Sequence, residues 1–256
     1  VDEGGLGFDY KWNMGWMNDV LSYVAVDPLF RKYDHNKLNF SMMYAFSEHY
    51  ILPISHDEVV HGKKSLLDKQ FGSYEDKFAG VRAFMGYMIA HPGKKLMFMG
   101  SEFGQFKEWN YKEGLEFFLK DYEKHNKLDR FFTELNTFYL VSEALYGDDD
   151  GWDGFEWIAA DDADKNSLAF IRKCGENEII AAINFSGADI KYRIGVPKGS
   201  YKVAFDSDKQ VYGGDGKSRK RIYNAEAISS NGKEYSIELD MPKLSFKYLV
   251  PVKKDN

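Results

Sequence analysis

The sequence contains a single cysteine, Cys174, which can close no internal disulfide and build no cysteine-based zinc site. Nothing in the fold then depends on an oxidising compartment, and a cytoplasmic setting is expected. Long apolar runs are also missing: the best candidate, Phe84 to Ala90, runs into His91-Pro92-Gly93, which is far too short to span a bilayer. No membrane partner is expected. Neither half is strongly basic, and 34 Lys and Arg against 40 Asp and Glu give a formal charge of −6, so nucleic acid is not the expected partner and a neutral polymer fits better. There is no initiator Met, charged leader or apolar signal region before the folded pattern at Val1, which leads us to expect a processed or partial product. Internal repeats and low-complexity tracts are absent too. What is abundant is aromatic side chain, 16% Phe, Trp and Tyr, enough to ask which rings face a ligand rather than the core.

The first part of the chain reads as alternating strand and helix. Phe78, Val81, Met85, Met88 and Ile89 recur at helical spacing, Ser73 with Asp76 supplies the N-terminal capping pattern, and Pro92-Gly93 ends the segment. A second amphipathic helix is predicted through Leu128, Phe131, Leu135, Phe138, Val141 and Leu145. Between helices lie short apolar runs, Tyr50 to Ile54 and Leu96 to Met99, each followed by polar or glycine-rich sequence. That is α/β order, with strands buried on both faces. Pro53 stands against a central strand, because it offers no N–H to a neighbour. After Gly147-Asp148-Asp149-Asp150-Gly151 the helical spacing stops. Short β-rich runs follow at Ser167 to Arg172, Glu178 to Phe185, Lys191 to Val196, Tyr201 to Phe205, Tyr235 to Leu239 and Ser245 to Val252. Regular spacing of this kind predicts an antiparallel sandwich, with a domain boundary near Gly151. Lys217 to Arg221 is expected to be a solvated turn or edge strand. Asn39-Phe40-Ser41 and Asn184-Phe185-Ser186 match the glycosylation acceptor pattern and are read as chance matches.

Several segments carry possible chemistry. His56-Asp57-Glu58 follows a strand directly, the position from which an α/β barrel presents catalytic groups; the alternative is a capping Asp57 beside a satisfied loop histidine. His56 and His61 stand five residues apart, not the four of a zincin helix, so they would diverge by about 140° on a helix and cannot share one zinc. No metal and no cofactor are expected. Gly62-Lys63-Lys64-Ser65 resembles the tail of a phosphate loop, but Asp57 occupies the place of its upstream glycine. Lys11 to Asp19 packs Trp12 and Trp16 around Gly15 among polar neighbours. A pyranose presents an apolar C–H face to such rings while its hydroxyls need polar partners, although a tryptophan-anchored helix start would look the same. Phe103 to Tyr111 repeats this mixture around Trp109, so two loops and the Trp12 segment are expected to converge on one cleft.

In combination, Gly7 to Met17, Leu52 to Ser65, Pro92 to Phe103 and Glu108-Trp109-Asn110 resemble the glycogen branching enzymes, a family within the α-amylase superfamily of retaining glycosidases and transglycosylases. The resemblance implies that residues 1–150 are the C-terminal part of a (β/α)₈ TIM barrel, about strands six to eight, and that residues 151–256 form a C-terminal antiparallel β-sandwich domain. It implies that Asp57 is the third superfamily carboxylate, the one that hydrogen-bonds sugar hydroxyls and favours an oxocarbenium-like transition state, with His56 beside it. Trp12, Asn13, Met14, Trp16, His61, Glu102 and Trp109 are the implied sugar contacts. The nucleophilic Asp and the acid/base Glu of that superfamily lie in motifs this sequence does not contain, so the chain alone is expected to be inactive. Leu115-Glu116-Phe117 departs from the Leu-Asp-Trp expected there and leaves stacking at that loop open.

For the whole protein the resemblance implies cleavage of α-1,4 links and transfer of the oligoglucan to a 6-hydroxyl, with glycogen or linear α-glucan as partner and a monomeric state. A superfamily hydrolase, such as a debranching enzyme or trehalohydrolase, is one rival reading; a non-catalytic glucan-binding module is another. Strand units that cannot close a barrel would leave bare edges, so poor solubility or association is expected of the chain made alone.

Overall fold

The computed structural model describes residues 4–253. Strands β1 (Lys11–Trp12), β2 (Tyr50–Ile54) and β3 (Lys94–Met97) form a parallel sheet in that order. Parallel neighbours need long crossovers. Helix α1 (Met14–Val24) lies in the first crossover and helix α2 (Tyr74–Ala90) in the second. Leu52 and Ile54 of β2 are fully buried in one core with Trp16, Val20 and Tyr23 of α1 and Phe84 and Met88 of α2. The proline objection resolves locally. Ile51 O accepts Asn13 N–H, so alternate residues of β2 address β1, and Pro53 falls on that side beyond Trp12. There the chain has already turned into α1, whose Met17 N–H takes the Asn13 carbonyl, so the missing donor deprives no partner.

The capping pattern at the start of α2 forms as expected, with Ser73 and Asp76 exchanging bonds. The single inward stripe does not. Besides the expected residues, Ala83, Phe84, Tyr87 and Ala90 are buried, because α2 is packed between the parallel sheet and a second sheet. Gly86 permits that approach: a Cβ there would lie 2.1 Å from the Phe246 ring, and Tyr248 OH donates to the Gly86 carbonyl at 2.5 Å. The next helix, α3 (Glu123–Leu140), ends before the expected Leu145. A 3₁₀ turn, Glu143–Leu145, buries Ala144 and Leu145 and so continues the apolar period without the helix. Likewise β3 begins at Lys94, paired with Ile51, and stops at Met97, not at Met99; Phe98 N–H makes the last contact to Ile54 O.

Eight antiparallel strands follow: β4 (Phe155–Asp162), β5 (Ser167–Cys174), β6 (Asn177–Asn184), β7 (Ile190–Val196), β8 (Ser200–Asp206), β9 (Ile222–Asn224), β10 (Tyr235–Met241) and β11 (Ser245–Pro251). They make a six-stranded sheet of order β4-β5-β6-β11-β8-β9 and a pair β10-β7. Every strand expected in this stretch is present; β4 and β9 are additional. Alternation sorts the six-stranded sheet's side chains. Leu168, Phe170, Ala181 and Ile183 join the core that contains α2, whereas Ala169, Ile171, Ile180 and Ala182 face Tyr192, Ile194, Ile237 and Leu239 of the β10-β7 pair.

Two buried arginines stitch the regions together. Arg172 of β5 donates to the carbonyls of Gly154, Ala90, Leu145 and Asp148 and to the Asp149 carboxylate. Arg31 donates to the carbonyls of Val24, Val26 and Phe185. The Asn184 amide donates to the carbonyls of Ala188, Met241 and Pro242 and is fully buried, which removes that acceptor pattern from the surface.

Candidate active site at the carboxyl end of the parallel strands

After Ile54 the backbone closes one 3₁₀ turn, His56–Glu58. Ser55 Oγ accepts Asp57 N–H at 3.2 Å while the buried Glu58 carboxylate takes Ser55 N–H at 2.5 Å. Glu58 is consumed in holding the turn. Its neighbours are thereby left outward: the Asp57 and His56 side chains are 57% and 46% exposed, with His56 Nε2 3.2 Å from Asp57 Oδ1. The His56 ring meets Phe98, just past β3, at 6.0 Å and stands edge-on to Trp109 at 5.8 Å. The turn after β2 and the loop after β3 therefore build one surface.

Backbone pairing fixes that juxtaposition. Trp109 N–H donates to Val59 O at 2.8 Å. The Glu108 carboxylate accepts the Gly62 and Lys64 N–H groups, each at 2.7 Å, and these two bonds hold its pKa below the ordinary carboxylate range. Beside them opens a groove of about 710 Å³ whose walls include His61, Lys64, Phe106, Trp109, Asn110 and Tyr111. Tyr111 is 77% exposed. One exposed and two half-buried rings with an amide, an imidazole and an ammonium among them suit a polyhydroxylated neutral ligand.

The sequence-predicted contacts divide. His61 and Trp109 line the groove. Trp12, 41% exposed, ends β1 opposite Ile51, on the strand beside the one that leads to Asp57, and Met14 is exposed at the start of α1. Trp16 is corrected: it is fully buried, stacked against Phe84 and Tyr87 and tilted against His91, because α1 turns its apolar face inward. Asn13 is corrected as well. It is buried and caps α1, its Oδ1 accepting Trp16 N–H at 2.9 Å and the Tyr44 hydroxyl at 3.3 Å. Glu102 takes Gly100 N–H at 2.7 Å, shaping its own loop, and is not among the groove's lining residues. Glu116, at the departing tripeptide, accepts the N–H groups of Phe106 and Lys107, and Phe117 lies exposed beside Phe103. Sequence reading placed Glu108 and Tyr111 in the aromatic loop but assigned neither a role at the site. Glu108 bonds to residues 44 and 46 positions away, which no local pattern reports.

Residues 157–252 match the family model described as alpha amylase, C-terminal all-beta domain. The chain is 50% identical over 254 residues to the 1,4-alpha-glucan branching enzyme GlgB of Halothermothrix orenii, covering 97% of this chain and 40% of that one. It is 51% identical over 253 residues to its namesake in Fusobacterium nucleatum, covering 96% and 41%. The chain thus spans about two fifths of the length of the curated relatives it matches. Among solved structures, AmyP in complex with maltose superposes with a TM-score of 0.63 at 13% identity, over 97% of this chain and 51% of that one. An alpha-amylase from H. orenii superposes at 0.58 with 14% identity, over 96% and 49%. At that identity the likeness concerns the fold.

Proposed function

We propose, from the premise that the chain belongs to the 1,4-alpha-glucan branching enzyme family, that it supplies the transition-state carboxylate and part of the glucan-contacting surface of an enzyme that cleaves α-1,4 links and transfers the oligoglucan to a 6-hydroxyl. In this reading β1 to β3 are the sixth to eighth strands of a (β/α)₈ barrel, residues 1–150 belong to that barrel, and residues 151–256 are its C-terminal domain. The partner is an α-glucan, and the whole protein is a cytoplasmic monomer that uses neither metal nor cofactor.

One observation carries the proposal: an exposed carboxylate, Asp57, leaves the carboxyl end of a parallel strand beside His56, whose ring abuts Trp109 from the next strand's loop. Asp57 does not attack the sugar. Its oxygens accept hydrogen bonds from hydroxyls of the ring at the cleavage point, contacts that tighten as the ring flattens toward the oxocarbenium geometry and so favour the transition state over bound substrate. His56 orients that carboxylate. The covalent step requires a nucleophile and an acid/base that the chain's motifs do not provide, so these residues alone stabilise and position but do not transfer.

The test is Asp57→Asn in a full-length protein carrying this segment. Turnover is expected to fall by about 10³-fold, a loss of roughly 4 kcal/mol of transition-state stabilisation, while glucan affinity changes little. Iodine staining that drops without release of reducing ends identifies branching as the activity being lost. A variant with normal turnover removes the assignment.

A further inference from the structure

We infer that Glu108 is a positioning residue, a latch that holds the Gly62–Lys64 loop as one wall of a groove for the part of the α-glucan lying beyond Asp57. The inference rests on the branching-enzyme reading above and adds to it the residue that shapes the distal binding surface.

The loop cannot hold its shape by local preference. Gly62 and Lys64 both adopt left-handed backbone, at φ 81° and 65°. For Gly62 this costs little; for Lys64 the Cβ crowds its own carbonyl, and such conformations persist only where surrounding bonds over-determine them. The two left-handed residues are both held by one side chain: Glu108 Oε2 accepts Gly62 N–H and Oε1 accepts Lys64 N–H, each at 2.7 Å, while Lys63 between them donates its N–H to Val60 O and accepts Lys69 Nζ at its carbonyl. An ionised carboxylate bridging two amides makes both bonds charge-assisted. Glu108 also sits next to Trp109, whose N–H is tied to Val59 O. One dipeptide therefore grips the segment after β2 at both ends and carries the ring that forms the opposite wall.

The groove between these walls is lined by His61, Lys64, Trp109 and Tyr111 among others, and Asp57 is not one of its lining residues. A glucan residue seated there touches the groove side chains beside the His56–Asp57 pair, not the Asp57 carboxylate itself. Contacts to a sugar that is not the reacting one act equally on bound substrate and transition state, so loosening the wall should raise KM and spare kcat. That split distinguishes a latch from a catalytic group and from a general loss of fold.

The experiment compares Glu108→Gln with Asp57→Asn in a full-length protein carrying this segment, using linear α-1,4-glucan. The glutamine keeps the length but offers one acceptor where two are needed. The expected result for Glu108→Gln is KM raised about tenfold with kcat within about twofold, together with faster amide exchange at Gly62 and Lys64 and an unchanged denaturation midpoint. Unchanged KM and unchanged exchange, with Asp57→Asn inactive, overturn the latch alone; an active Asp57→Asn overturns the reading beneath it. Should Glu108→Gln fail to fold, Gly62→Ala decides. A Cβ at Gly62 meets nothing within 4 Å, so that variant strains only the loop's backbone; raised KM at retained kcat supports the latch, and unaltered KM overturns it.

Discussion

The parallel strands and the antiparallel sandwich bury their residues in opposite ways. Among the described residues, β1 and β3 end the parallel sheet with unpaired edges, and Ile51, Lys94 and Leu96 remain only half-buried on one of its faces. The six-stranded sheet is covered on both faces, by α2 and its neighbours on one side and by the β10-β7 pair on the other. Each candidate chemical group lies on the open region: Asp57, His56, His61 and Trp109 stand on loops that follow parallel strands. Charged side chains in the sandwich serve structure instead, as in the fully buried Lys247 paired with Asp206. Openness gives a carboxylate access to ligand, and closure gives the loops a rigid base from which to project it.

The dependence of one region on the other can be broken most severely at Arg172. Its guanidinium is completely buried and satisfies carbonyls on both sides of residue 151 as well as the Asp149 carboxylate. Burial raises the Asp149 pKa, but the positive charges of Lys95, Arg172 and Lys94 with the Arg172 hydrogen bond together outweigh it and hold it down at about 2. Arg172→Ala leaves those carbonyls unpaired and Asp149 with Lys94 as its remaining ion-pair partner, and should cost about 3–5 kcal/mol in urea denaturation. A loss of under about 1 kcal/mol would mean that Arg172 is not what ties the two regions together.

Acid should distinguish the regions next. His91, between α2 and β3, is fully buried and pushed down to about 3 by loss of solvation, with Nδ1 donating to Pro92 O and Nε2 accepting from Ser41. Between about pH 6.5 and 3 the unfolded chain binds a proton that the folded chain refuses, so stability falls as pH drops through that window. The slope is about 1.4 kcal/mol per pH unit, or roughly 2 kcal/mol between pH 6.5 and 5. His91→Gln should flatten it over that range, measured as denaturation midpoint against pH. Equal slopes in both proteins would exclude His91 as the source of acid lability on the parallel side.

The smallest effect is expected at the sandwich rim. Gly175, in the β5–β6 hairpin, has φ 56° and open space where a Cβ would point. Gly175→Asn should therefore shift stability by no more than about 0.5 kcal/mol, since asparagine tolerates this conformation and nothing is displaced. A larger change in the melting curve would reveal a contact at that turn which closure of the sandwich does not explain.

Much of this architecture was legible in order and pattern. The bounds of β2, the Ser73 cap of α2, the switch from helical to β spacing after residue 147 and the place of Asp57 just past a strand all follow from neighbours in sequence, because caps, turns and periodicity are local physics. Tryptophan was where local reading failed. Trp12 and Trp16 sit in the same polar segment, yet one ends a strand half in solvent and the other stacks on Phe84 and Tyr87, residues that only the crossover brings near.

Sequence alone thus determined the kinds of elements, their order and the carboxylate that follows β2. Only tertiary structure decided which rings face outward, that α2 is enclosed by two sheets, and that Glu108 grips a loop far from it in the chain. The reason is range. Hydrogen-bonding periodicity and steric preference act over a few residues, whereas burial and long-distance bonds depend on what the folded chain places opposite.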